Sequence, residues 1–199
     1  METKPFLLGV FLIAGLVPAQ AAQFEDLEYT SSGTAVIITG YTGPGGAVSI
    51  PDTINGLPVA SIEEWAFAGC AGLTSITIPD SVTSIGGEAF EGCTGLTNVV
   101  FGNSVTSIGW QAFYGCTGLT SITIPDSATS IEGGCTAWVS NYEGAFECCG
   151  SLTDVSIYDS VTTIDEAAFA YCTSLISVTI PKSVTWISGG AFSGKRGRL

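Results

Sequence analysis

Residues 61–79 read SIEEWAFAGCAGLTSITIP, and nearly the same string returns as SIGGEAFEGCTGLTNVVFG from Ser84 and as SIGWQAFYGCTGLTSITIP from Ser107, with weaker copies near Ile164 and Ile187. Cys70, Cys93 and Cys116 stand 23 residues apart, as do Cys149 and Cys172, and Phe67, Phe90, Phe113 and then Phe146, Phe169, Phe192 keep the same step. Self-similarity at a fixed period marks an array whose units bury their apolar faces only by stacking on one another. Within a unit, Leu73, Ile76 and Ile78 alternate with Ser and Thr, the pattern of a short strand with one buried face. Pro79-Asp80 supplies a turn, because proline presets φ and aspartate bonds locally to backbone. Val82 and Ile85 follow as a second apolar pair, and the GGEAFEGC-type segment predicts a short helical turn that closes the coil. The expectation is a solenoid of about six 23-residue coils, each of two short strands plus a short helical turn, burying Leu, Ile, Ile, Val, Ile, Ala, Phe and Cys.

Four divisions follow along the chain. Residues 1–21 hold Lys4, an apolar run from Phe6 to Val17 and then Ala19-Gln20-Ala21, which reads as a secretory signal peptide. The run is shorter than the ~20 residues of a membrane span. Residues 22–49 do not fit the repeat; FEDLEYT, AVIITGY and AVSIP predict short strands that cap the open end of the stack. Residues 50–194 form the solenoid, with a ten-residue insertion at 134–143 between the Cys116 and Cys149 coils. Residues 195–199, Lys-Arg-Gly-Arg-Leu, stand where the register calls for a cysteine and a further strand. Truncation of the array is the favoured reading, with a basic tail acting as a crude cap as the alternative.

The motif AFAGCAGLTSITIPDSVTSIG, from Ala66 to Gly86 and again from Ala112, resembles the BspA-like leucine-rich repeat of bacterial and protist surface proteins. The opening segment TGPGGAVSIPDTINGLPVASI, from Thr42, is similar to one common in that group. The resemblance spans about Tyr29 to Phe192 and implies a leucine-rich repeat solenoid, α/β horseshoe-like and β-rich. It also implies a secreted or surface-displayed protein used for adhesion and protein-protein contact, with no catalytic residue to carry over.

Charge narrows the partners. The basic residues are Lys4, Lys182, Lys195, Arg196 and Arg198, so nothing from Pro5 to Pro181 is positive, while every acidic residue of the 18 except Glu2 lies in that interval. Such a surface repels nucleic acid and anionic lipid. It serves solubility, or attraction to cationic partners or calcium. Asp52, Asp80, Asp126 and Asp159 share one column, but Asn103 and Lys182 interrupt it, and a Pro-Asp turn gives aspartate a sufficient local role. No metal and no cofactor is expected.

Seven cysteines in an exported chain invite a disulfide reading. Five share one column, where stacking leaves Cβ atoms ~4.8 Å apart, too far for the ~3.5 to 4.5 Å of a disulfide, so a buried ladder of free thiols is expected. Cys135 and Cys148 fall in the one long coil and are expected either to bond to each other or, with Cys149 exchanging for Cys148, to pair differently.

Two surfaces are candidates for recognition. The insertion carries Trp138 and Tyr142, which either contact a partner or fold back over the coil. The outward strand positions form hydroxyl rows, Ser75, Ser121 and Ser177 beside Thr77, Thr123 and Thr179, interrupted by Val100 and Asp154; they suit a protein or glycan ligand or are simply solvated. The chain has no histidine, no nucleophile elbow and no phosphate-binding glycine loop, so it is not expected to be an enzyme. The expected function is a secreted or cell-surface module for protein or cell adhesion contacts, the alternative a spacer without a ligand or a fragment of a larger surface protein.

Overall fold

The computed structural model describes residues 22–135 and 142–194. The signal-peptide segment, Trp138 and the basic tail lie outside the described residues. In chain order the strands are β1 (Ala22–Phe24), β2 (Leu27–Ser31), β3 (Val36–Tyr41), β4 (Gly46–Ser49), β5 (Thr53–Ile54), β6 (Leu57–Ile62), β7 (Leu73–Thr77), β8 (Ser84–Ile85) and β9 (Asn98–Val100). They continue as β10 (Ser107–Ile108), β11 (Ser121–Ile124), β12 (Ser130–Ile131), β13 (Gly133–Cys135), β14 (Tyr142–Gly144), β15 (Asp154–Ile157), β16 (Thr163–Ile164), β17 (Ser177–Thr179) and β18 (Trp186–Ile187).

Every coil gives one strand to each of two flanks. One flank is a continuous sheet in the order β1-β2-β3-β6-β8-β10-β12-β16-β18, parallel from β3 onward, with Ile62, Ile85, Ile108, Ile131, Ile164 and Ile187 in register. The other flank is two separate three-stranded sheets, β4-β7-β9 and β11-β15-β17. At the start of the stack β1, β2 and β3 form an antiparallel meander, and β3 and β4 already take the two strand positions of a coil.

The core lies between the flanks. In the coil from Leu73, the side chains of Leu73, Ile76, Ile78, Val82, Ile85, Ala89, Phe90 and Cys93 are all buried, the set expected from the repeat. Phe67, Phe90, Phe113, Phe146, Phe169 and Phe192 stack face to face, with successive centroids 5.0, 5.0, 5.2, 5.3 and 5.5 Å apart. Tyr41 extends the stack into the opening meander, 5.2 Å from Phe67. The cysteine column is a ladder of free thiols, buried from Cys93 onward. Each buried thiol donates to the carbonyl of the phenylalanine one coil earlier, as Cys93 Sγ does to Phe67 O at 3.1 Å and Cys116 Sγ to Phe90 O at 3.2 Å.

The helical turn expected in each coil is absent: the described residues contain no helix. A helix spends every amide on its own segment, whereas here the donors alternate. Ala66, Ala68 and Cys70 bond to carbonyls three residues back, while Phe67 and Gly69 donate across to Ala89 and Glu91 of the next coil, both at 2.7 Å. Two left-handed residues four apart produce this alternation in most coils: Trp65 and Gly69, Glu88 and Gly92, Gln111 and Gly115, Ala167 and Tyr171, Gly190 and Gly194. In the long coil Cys148 (φ 61°) takes the second position.

Gly115 isolates the backbone cost of this conformation, since φ is +66° and a Cβ there would meet nothing within 4 Å. Gly115→Ala is expected to cost about 1 kcal/mol, the penalty of a left-handed L-residue without a clash. Gln111→Gly (φ 49°) should give a smaller change of opposite sign. Urea midpoints at constant m-value check both, and an unchanged midpoint for Gly115→Ala would remove the backbone explanation of the glycine column.

Candidate functional site

The hydroxyl rows lie on the flank that is split. Ser121, Asp154 and Ser177 are in register, as are Thr123, Ser156 and Thr179, while Ser75 pairs with Asn98 and Thr77 with Val100 in the other sheet. Ser75 is half-buried and the other five predicted hydroxyl residues are exposed. The structure therefore brings them onto one flank as two half-rows rather than one continuous array.

The break falls between β9 and β11, and its cause is local. Phe101 stands in the column held elsewhere by Ile78, Ile124 and Ile157, and its ring turns edge-on to Phe113 at 5.8 Å, 82° between planes. Gly102 stands where Pro79 and Pro125 stand in neighbouring coils, and a Cβ on it would collide with the Pro79 carbonyl, so this turn is pressed onto the coil before it. A bulkier wedge on one side and a closer approach on the other open the sheet toward the following coil. Thr97 N–H donates to Thr74 O at 2.9 Å and Thr153 N–H to Thr120 O at 2.8 Å, but among the described residues no ladder bond joins β9 to β11.

A recess of about 430 Å³ occupies the gap, lined among others by Val100, Phe101, Thr123, Pro125, Asp126 and Tyr158. Val100 is 47% and Tyr158 51% exposed, large apolar surface beside the hydroxyl half-rows of this flank. Two aspartates of the turn column bond to the next coil rather than within their own turns: Asp80 Oδ1 accepts from Asn103 N–H at 2.7 Å, and Asp126 Oδ1 from Ser160 Oγ at 3.1 Å. The recess thus offers an apolar floor, a phenol and fixed polar groups at its rim, suited to gripping one side chain of a partner.

The insertion emerges as a hairpin. β13 and β14 pair antiparallel, with Gly133 opposite Gly144 and Cys135 opposite Tyr142. Gly133 and Gly144 lie flush on the next coil, since a Cβ on either would run into the carbonyls of Glu166 and Ala167 respectively. The side chains of Cys135 and Tyr142, like all of Trp138, are outside the described residues. Cys148 is a free, half-buried thiol hydrogen-bonded with the Tyr114 hydroxyl, and the Cys135 half of the expected bridge is not among the described side chains. That bond to Cys148, ahead of the nearby charges of Cys148, Glu147 and Glu91, pushes the Tyr114 hydroxyl up to about 12.

Sequence reasoning identified the hydroxyl rows but not the recess. Its signal was present as Phe101-Gly102 in place of Ile-Pro, two departures from the repeat at adjacent positions.

The family model described as BspA type leucine rich repeat region matches residues 60–195 in six copies. No curated protein matches the chain. Among solved structures, the chain is similar to a leucine rich cell surface protein from Faecalibacterium prausnitzii, with 34% identity over 91% of this chain and a TM-score of 0.73. It spans 48% of that protein's length. It is also similar to a leucine rich repeat protein of T. pallidum, at 28% identity and TM-score 0.61 over 84% of this chain and 86% of the other. A leucine-rich repeat protein from Bacteroides capillosus matches at 26% identity and TM-score 0.58, over 69% of this chain and 98% of the other.

Proposed function

The chain belongs to the BspA-type leucine-rich repeat family, and on that premise we propose that it is a non-enzymatic, secreted or surface-displayed module that makes adhesion contacts with a protein or glycan through its split strand flank. The observation that carries this reading is the recess at the β9–β11 break, where Val100 and Tyr158 stand exposed between two half-rows of hydroxyl groups. Apolar and aromatic anchors set in a polar surround are the usual energetic centre of a protein contact. The description of the Faecalibacterium protein as a cell surface protein supports the location. Among the described residues no helix is long and apolar enough to cross a membrane.

The test is binding of the purified protein to immobilised matrix proteins, mucins and polysaccharides, with Tyr158→Ala and a Trp138→Ala, Tyr142→Ala variant alongside. Tyr158→Ala is expected to weaken a saturable interaction by about tenfold or more, the size of a buried tyrosine anchor. A loss confined to the insertion variant would move the contact to the hairpin. No binding on any surface would favour a spacer.

A further inference from the structure

The continuous flank carries a second recess, of about 410 Å³, on different residues from the strand-flank gap. Its floor is the in-register hydroxyl row Ser61, Ser84 and Ser107 together with glycine backbone, and one wall is the half-buried Trp110. Trp110 is seated by its neighbour one coil earlier. A Cβ on Gly87 would stand 2.7 Å from both Cε2 and Nε1 of the indole, so the ring rests against bare backbone. Glu63, Glu64 and Glu132 supply its charged groups, and Ile37, Ile62 and Ile85 its aliphatic lining. Ser107 Oγ donates to Glu132 Oε1 at 2.8 Å, which fixes that carboxylate at the rim.

The stretch that lines the recess supplies no cation of its own, because the sequence holds no Lys, Arg or His from Pro5 to Pro181. Nor does the lining form a metal cage, since among the described residues no three acidic or thiol groups gather closely enough to share an ion. Carboxylates spread around an aromatic wall and a hydroxyl floor fit a cation whose charge lies on a carbon-bearing body. Its face would lie on the indole while its field is met by several carboxylates at once. We propose that this recess binds organic ammonium groups, carried either by a free quaternary ammonium compound or by a lysine side chain of a partner.

The experiment follows the indole N–H resonances of the full chain, which has four tryptophans, by heteronuclear NMR at constant ionic strength. The probes are choline, Nα-acetyl-lysine methylamide and the neutral choline isostere 3,3-dimethylbutan-1-ol. The Trp110 resonance is expected to shift saturably with one or both cations, with a dissociation constant on the order of millimolar, and to ignore the isostere. Saturation by choline alone identifies a free quaternary ammonium ligand; saturation by the lysine probe identifies a partner's lysine. Glu132→Gln keeps the shape and removes one charge, and should weaken binding about three- to fivefold. Gly87→Ala lifts the ring from its seat and should abolish saturation while leaving all three carboxylates in place. The proposal is overturned if neither cation shifts Trp110, if the isostere shifts it equally, or if a neutral sugar such as methyl glucoside is the probe that saturates it.

Discussion

Phe113→Ala is expected to lower the unfolding free energy by about 4 kcal/mol, within the ~3 to 5 kcal/mol of a fully buried phenylalanine truncation. Its ring is wholly buried and touches three others: Phe90 at 5.0 Å, Phe146 at 5.2 Å and Phe101 edge-on at 5.8 Å. Deleting it opens a cavity bounded by rings that belong to different coils. Those coils are tied to one another by backbone ladders on the continuous flank, so the gap cannot close by a local shift. The loss is a large part of the ~5 to 15 kcal/mol that holds an ordinary domain together.

Phe192→Ala is the internal control. Phe192 stacks on one ring only, Phe169 at 5.5 Å, and is partly buried. In an array whose stability is a sum of unit and nearest-neighbour terms, a side chain with one neighbour contributes less than one held on both sides. The expected cost is under half that of Phe113→Ala. Urea denaturation of both variants decides it, and equal costs would sink the nearest-neighbour account of this stack.

The columns that build these contacts were legible in the sequence because, in a stacked array, a residue's main partner is its own counterpart one period away. Phe90 implies Phe113 without any knowledge of the chain between them, and Cys93 implies Cys116 in the same way. The conformation of the AFxGC segment was not legible. Its apolar spacing fits a helical turn, and only the left-handed positions, among them Trp65 and Gly69, divert alternate amides to the next coil. The glycine preceding each of Cys70, Cys93 and Cys116 was the available signal.

The two recesses illustrate a different limit. Each arises where one column departs from its repeat, Phe101-Gly102 on one flank and the Gly87–Trp110 pair on the other, and the consequence lies between coils. A substitution within the pattern is visible in one coil, whereas the space it opens or fills depends on how the coil before and the coil after are seated. A large residue facing glycine one period away, as Trp110 faces Gly87, is a pattern that sequence reading can look for.

Above pH 9 the stability of the protein is expected to fall by about 5 kcal/mol per pH unit, through the buried thiols of Cys93, Cys116, Cys149 and Cys172. Burial is the first cause in each case, because a thiolate loses its hydration there; repulsion from a neighbouring thiolate adds to it, as Cys70 does for Cys93 and Cys93 for Cys116. Cys93 and Cys172 are pushed up to about 12, and Cys116 and Cys149 are raised as well. The unfolded chain ionises these groups near 8.5, so between that pH and about 12 it binds fewer protons than the folded chain, and stability is lost as pH rises. Below about pH 8 both states hold the protons and the contribution is complete. Each thiol contributes a slope of ~1.4 kcal/mol per pH unit, which for these groups together would exhaust an ordinary domain's stability within about one to three units. Deprotonation also removes the donor that each sulfur gives to a phenylalanine carbonyl, leaving negative charge against oxygen at contacts such as Cys149 Sγ to Phe113 O, 3.2 Å. Urea midpoints at pH 7.5, 9, 10 and 11 under reducing conditions give the slope. Cys116→Ala should flatten it by roughly a quarter, as one thiol removed from this set, and an alkaline slope unchanged by that variant would assign the titration to other groups.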